Sequence, residues 1–204
     1  LLRLAQHRMT QTSDFTIKTA RTIVAGKLKN SRSVIQRGAR EAGSDDEAAT
    51  LTRAADNLAA SLRAVKEATD LDTLRGLEGE AARGYFEALN LIVKPQMRAD
   101  FALDGRTRRP PLDRFNALLS FLYAMLMNDC RSALESVGLD PQLGFLHAVR
   151  PGRAALALDL QEEFRSVLAD RLALTLINRG QIGEADFDLR EGGAVMLNDK
   201  GRRK

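Results

Sequence analysis

From Phe15 to about Ala39 the chain carries no proline, and its apolar residues recur at intervals of three and four. Placed at 100° per residue, Ile17, Ala20, Ile23, Val24, Leu28, Val34 and Ile35 fall on one broad face. That pattern predicts a long amphipathic helix, opened by Ser13-Asp14. The periodicity returns behind Ser44-Asp-Asp-Glu47, which reads as a capping box, through Leu51, Ala54, Ala55, Leu58, Leu62 and Val65. A third helix is expected from Leu71 to Val93, lightly broken by Gly76 and Gly79. A fourth follows Pro110-Pro111, from Leu112 to about Ser136, and its centre, Ala117 to Met127, is apolar nearly all round. This predicts a buried central helix. The fifth, Ala154 to Arg179, would turn Leu160, Phe164, Leu168, Leu172 and Leu176 inward and stop at Gly180. Apolar runs around Gly192-Gly193 predict a short hairpin over 187–197. The expected fold is therefore all-α with a short β-hairpin near the C-terminus: 1–12 as a linker remnant, 13–180 as the helical domain, and 181–204 as a hairpin appendage with a cut-off tail.

Composition narrows the class. A chain of 204 residues, 44% apolar and 28% charged, has the make-up of a globular domain. Its longest apolar-rich run falls short of the roughly 20 residues a membrane span needs, so no membrane partner is expected. Nothing reads as a signal peptide, and the single Cys130 fits a reducing cytoplasm and a place in the core. The chain begins at Leu1 and ends in Gly-Arg-Arg-Lys204, which suggests a piece of a longer protein. Charge is unevenly spread. Residues 1–41 hold nine Lys or Arg against Asp14 and Glu41, a balance of +7, whereas residues 42–93 hold five basic and ten acidic residues, a balance of −5. On the first long helix Lys18, Arg21, Lys29, Arg32 and Arg40 gather opposite the apolar face, with Asp14, four residues before Lys18, as the sole acidic residue at i±4. Such an arc is either a solvated face or a polyanion contact.

Chemistry concentrates in Gly144-Phe-Leu-His147 and the helix after it. His147 lies in a loop rich in Gly, Pro and Arg; Asp159, Glu162 and Glu163 follow on the helix, with Arg150 and Arg153 between. Upstream, Glu78 heads a face otherwise made of Ala81, Ala82, Tyr85 and Leu89. A buried carboxylate costs several kcal/mol unless paired or metal-bound; near a helix start it can instead simply meet the helix dipole. One imidazole with two carboxylates is a hard, oxygen-rich set that suits Mg²⁺ or Mn²⁺ better than Zn²⁺. Arg150 and Arg153, together with Arg106, Arg108 and Arg109 of the basic loop before Pro110-Pro111, are candidate phosphate contacts. Asn116, Ser120 and Tyr123 are polar positions on the fourth helix, and Asp159 and Glu163 are candidates for supporting or salt-bridge roles. No Ser or Cys stands in a nucleophile motif with His147, and there is no phosphate-binding glycine loop.

The runs Leu74-Arg-Gly-Leu-Glu-Gly-Glu-Ala-Ala82, Arg108-Arg-Pro-Pro-Leu-Asp113, Asn116-Ala-Leu-Leu-Ser-Phe-Leu-Tyr123, Gly138-Leu-Asp-Pro141, Gly144-Phe-Leu-His147 and Asp159-Leu-Gln-Glu-Glu-Phe-Arg165 occur in order over nearly the whole chain. They resemble the CRISPR adaptation integrase, in the form found with type I-C systems. The resemblance implies a metal-dependent DNA endonuclease and integrase that inserts captured DNA into a CRISPR array by transesterification. It implies Glu78, His147 and Glu162 as catalytic metal ligands for Mg²⁺ or Mn²⁺. It also implies double-stranded and branched DNA as substrates, an N-terminal β-domain absent from this chain that makes a homodimer, and a small ferredoxin-like adaptation partner. Two other readings compete: a non-catalytic helical DNA-binding module, and an all-helical nucleotide pyrophosphatase, which lacks a second acidic pair and leaves His147 unused.

Overall fold

The computed structural model describes residues 1–204. Helix α1 (Leu2–Thr10) precedes three long helices, α2 (Ser13–Arg40), α3 (Asp45–Glu67) and α4 (Leu71–Ile92). After an irregular stretch come α5 (Arg114–Ser136), the loop bearing His147, α6 (Ala155–Phe164), a π-helical turn (Ser166–Asp170) and α7 (Arg171–Asn178). Strands β1 (Phe187–Leu189) and β2 (Val195–Leu197) then form an antiparallel hairpin, and α8 (Asp199–Arg202) closes the chain. No helix is long and apolar enough to cross a membrane.

The helix starts are written locally. Ser44, Asp70 and Asp113 each accept the backbone N–H three residues on. Only half of the expected box at Ser44 forms, because the Glu47 carboxylate is drawn 2.7 Å to Arg98, which also caps the end of α4 through the Val93 and Leu91 carbonyls. The hairpin pairs Phe187 with Leu197 and Leu189 with Val195, with Gly192 and Gly193 supplying the positive φ of its turn.

Helix α2 is the true centre of the molecule. It packs on α3, α4, α6 and the π-turn, and Ala20, Val24, Leu28, Val34 and Ile35 are buried as their spacing predicts. The all-apolar α5 is not the central helix. Phe115 to Leu119 and Leu122 are buried, but Met125 is exposed. The five-membered apolar ladder expected after Ala154 also fails. Leu168 is 53% and Leu172 47% exposed, and Phe164 is exposed too, while Ala169, Ala173, Leu174 and Ile177 face the core. Steps of four overshoot a helical turn by about 40° each, so four steps sweep about 160° and cannot hold one face. The π-turn, closed by Asp170 N–H to the Arg165 carbonyl at 3.0 Å, shifts the phase again.

Residues 1–12 are no linker. Leu2–Thr10 is a run of good helix formers, and buried Gln6 clamps the far loop: its amide donates to the Asp140 and Leu143 carbonyls and its oxygen accepts from Asp140 N–H. The C-terminal tail is likewise tied down rather than appended. Leu197 joins the main core, and Lys204 Nζ lies 2.6 Å from buried Asp186.

Candidate metal centre

Glu78 stands on the second turn of α4, His147 in the loop after α5, and Glu162 on α6. All three line one cleft of about 310 Å³, together with Arg75, Arg150 and Arg153. Segments far apart in sequence are thus brought to one place, and two of the proposed phosphate-binding arginines come with them.

The His147 loop is braced from both sides. Asp159, fully buried on α6, accepts the backbone N–H groups of Phe145, Leu146 and His147 at 2.6, 3.0 and 2.9 Å, and meets His147 Nδ1 at 2.7 Å. With Nδ1 engaged there, Nε2 is the ring nitrogen left facing the cleft, 3.9 Å from Glu162. On the other side Arg75 donates twice to the Leu146 carbonyl. Each brace therefore sits one helical turn before a candidate ligand, Arg75 before Glu78 and Asp159 before Glu162. Gly144 permits the close approach: a Cβ there would stand 2.7 Å from Ala155 and 2.9 Å from Asp159.

Beneath the cleft lies a charge cluster invisible to helical periodicity. The Lys27 ammonium contacts Glu78 and stands 2.7 Å from Glu162, while Arg165 grips the other Glu162 oxygen. Burial alone would raise the Glu162 carboxyl, but Lys27 and Arg165 hold it down, at about 2. Glu162 Oε2 is buried and lacks an aligned hydrogen bond even to the nearby ammonium. As the side chains stand, no three His, Cys, Asp or Glu residues are placed to ligate one ion together. Still, an ionised carboxylate, a half-buried second carboxylate and an imidazole nitrogen facing the cleft form a donor set that fits Mg²⁺ or Mn²⁺.

The other expected contacts divide. Arg108 and Arg109 are exposed, as are Lys18 and Lys29. Arg106 turns inward: it donates to Asn116, Ser120 and the Thr107 carbonyl, and lies over the Tyr123 ring. A guanidinium so engaged supports the loop rather than offering an open phosphate contact. Arg21 is similarly spent, donating at 2.7 Å to the Ala68 carbonyl at the end of α3, and Arg32 is half-buried. Glu163 lies outside the cleft, its side chain beside Gly26 of α2. Asn116, Ser120 and Tyr123 are structural partners of Arg106 and Asp170. Sequence reasoning missed Lys27, Arg75 and Arg165. The signal for Lys27 was its place on the buried stripe of α2 between Val24 and Ser31; for the arginines, their spacing of three from Glu78 and Glu162.

The family described as CRISPR associated protein Cas1 matches the chain over residues 1–204. The chain belongs to the Cas1 family. A CRISPR-associated endonuclease Cas1 from Moorella thermoacetica is 56% identical over 203 residues, covering all of this chain and 59% of that relative. This chain thus spans about three-fifths of the length of such a Cas1. Among solved structures, a Cas1 protein from Thermotoga maritima aligns with a TM-score of 0.83 at 31% identity, over 99% of this chain and 60% of that one. A chain of a Cas6-RT-Cas1–Cas2 complex aligns at 0.84 and 32% identity, over 97% of this chain and 21% of the other.

Proposed function

We propose that this chain is the catalytic part of a divalent-metal-dependent DNA endonuclease and integrase that joins captured DNA ends into a CRISPR array. One observation carries this reading: Glu78, His147 and Glu162 share a cleft whose rim is basic. Mg²⁺ or Mn²⁺ bound by these three would act as a Lewis acid on the phosphodiester under attack. The 3′-hydroxyl of the captured end attacks phosphorus, one P–O bond forms as another breaks, and the departing 3′-oxygen takes up the proton. Cleavage is the same exchange with water as the nucleophile. Arg150 and Arg153 bind the phosphates on either side of the reacting one. Asp159 holds His147 with Nε2 toward the cleft, and Lys27 with Arg165 keeps Glu162 ionised. Substrates of this kind are double-stranded and branched DNA. The likeness to a chain of a Cas1–Cas2 assembly supports a Cas2-type partner, the small ferredoxin-like protein, bridging homodimers of this one.

The test is transfer of a labelled 3′ end into duplex and branched targets, with Mn²⁺, Mg²⁺ or chelator, for the wild type and His147→Ala. Activity should vanish in the variant and in chelator while DNA binding persists. Strong turnover in either condition would sink the metal assignment. DNA binding without turnover under any metal would favour the non-catalytic DNA-binding module.

A further inference from the structure

Lys27 is the one buried lysine of the chain, 8% exposed. Its ammonium touches both Glu78 and Glu162. Yet Lys27 does not line the cleft that these carboxylates share with His147. It comes from behind, off α2, and lines a separate small cavity beside Glu162. The approach of α2 to α6 is fixed closely. A Cβ at Gly26 would stand 3.1 Å from the Glu163 side chain, and Asn30 donates at 2.8 Å to the Glu163 carbonyl.

An ammonium shared by two carboxylates occupies the space in which a divalent ion bridging them would sit, because metal–oxygen distances are about 2.0–2.6 Å. Both cannot be there at once. Without any cation the two carboxylates would repel one another. The cavity behind them measures about 10 Å³, roughly the room one water-sized group needs. Its lining includes Ser31, Tyr85 and Ser166, and the buried Ser166 hydroxyl has no hydrogen-bond partner. The site thus contains both an internal cation and, behind it, a small space bordered by Ser31 and Ser166 among mostly apolar side chains, into which that cation can withdraw.

We propose that Lys27 is the internal counter-cation of the metal-free site: it holds Glu78 and Glu162 together, and an incoming divalent ion displaces it toward Ser166. The proposal rests on the metal reading of Glu78, His147 and Glu162. It makes Lys27 a positioning residue that competes with metal, so removing its charge should tighten metal binding.

The experiment is Mn²⁺ titration of the full chain, followed by electron paramagnetic resonance of the free ion, for wild type, Lys27→Met and Lys27→Gln. Thermal melts with and without Mn²⁺ accompany it. The variants should bind Mn²⁺ at least tenfold more tightly than wild type, melt lower without metal, and gain more on its addition. A variant that binds while wild type does not also supports the proposal. Equal or weaker binding by the variants, with wild type binding normally, overturns the role of Lys27 and leaves the metal site standing. No binding by any of the three overturns both. Should neither variant fold, the wild-type Lys27 Cε and Nζ resonances decide the matter. They should shift on saturation with Mg²⁺, and unmoved signals overturn the displacement.

Discussion

Glu162 and Asp170 are both buried acids, eight residues apart, the first one helical turn before the π-turn and the second its last residue, and their surroundings drive them in opposite directions. Burial penalises the charge of each. Around Glu162 stand Lys27 and Arg165, and their positive charge holds the carboxyl down at about 2. Asp170 is met by two neutral donors, the hydroxyls of Tyr85 at 2.8 Å and Tyr123 at 2.6 Å. Its carboxyl stays above the usual range because burial outweighs those hydrogen bonds and the more distant arginines. Arg165 joins the two clusters, gripping Glu162 while lying 4.8 Å from the centre of the Tyr123 ring. Burial alone therefore does not set the state of an acid; the charge of its partners does. The acid ringed by cations opens on the cleft, whereas the acid held by hydroxyls is closed in and ties the π-turn to Tyr85 and Tyr123.

The sharpest way to break this contrast is substitution at both ends. Glu162→Ala should cut strand transfer by about 10²–10³-fold or more, the scale on which a lost charge-stabilising group acts. Asp170→Asn should leave Mn²⁺ affinity unchanged in the same titration. Loss of metal binding in Asp170→Asn would mean that the two clusters act as one.

Next in size is the brace of the histidine loop. Asp159→Asn keeps the side-chain shape but weakens its hold on His147 Nδ1 and the loop N–H groups. It should lower Mn²⁺ affinity or turnover by about 10–100-fold, as loss of a ligand-orienting partner does. A variant as active as wild type would show that the loop holds its shape without that carboxylate.

Acid unfolding separates the two acids by sign. The folded pKa of Glu162 lies below its ordinary 4.5, so its stabilising effect is present above about pH 4.5 and fades as pH falls toward 2. The stability gap between wild type and Glu162→Gln, from urea midpoints, should accordingly close in acid. Asp170 is shifted upward, so its favourable contribution is present below its ordinary 3.8 and is lost as pH rises through the folded value. The gap for Asp170→Asn should instead widen in acid. Gaps that move together with pH would contradict the assignment of either carboxyl.

The smallest expected effects are at the hydroxyls. Tyr85→Phe and Tyr123→Phe should each cost about 1–2 kcal/mol in urea unfolding, the usual loss for a buried acceptor deprived of one donor. Metal affinity should not follow. Undiminished stability would show that the Asp170 bonds are replaced by water.

Much of the helical frame was legible because its causes are local. The stripe from Ala20 to Ile35 and the Ser44 cap act within three or four positions, so neighbouring residues suffice to read them; the caps Asp70 and Asp113 are equally local but were not read. Leu168 and Leu172 misled for the same reason: a local rule was extended through a π-turn that breaks its phase. The candidate ligands came from motif resemblance, since a lone His147 and a lone Glu78 define no site by spacing. Arg106 and Arg153, alike as residues of basic, proline-bearing loops, were separated only by what surrounds them: Asn116, Ser120 and Tyr123 for the first, an open cleft for the second.

The sequence by itself determined a helical domain with a C-terminal hairpin, the capped start at Ser44 and its Cas1 family. Tertiary structure alone decided that α2 is the centre, that residues 2–10 are a docked helix, and that Lys27 reaches Glu78 from 51 positions away as well as Glu162. The physical reason is range. Helix propensity and capping are settled among near neighbours, whereas the state of a buried charge depends on whichever distant side chains the packing of α2 against α4 and α6 brings beside it.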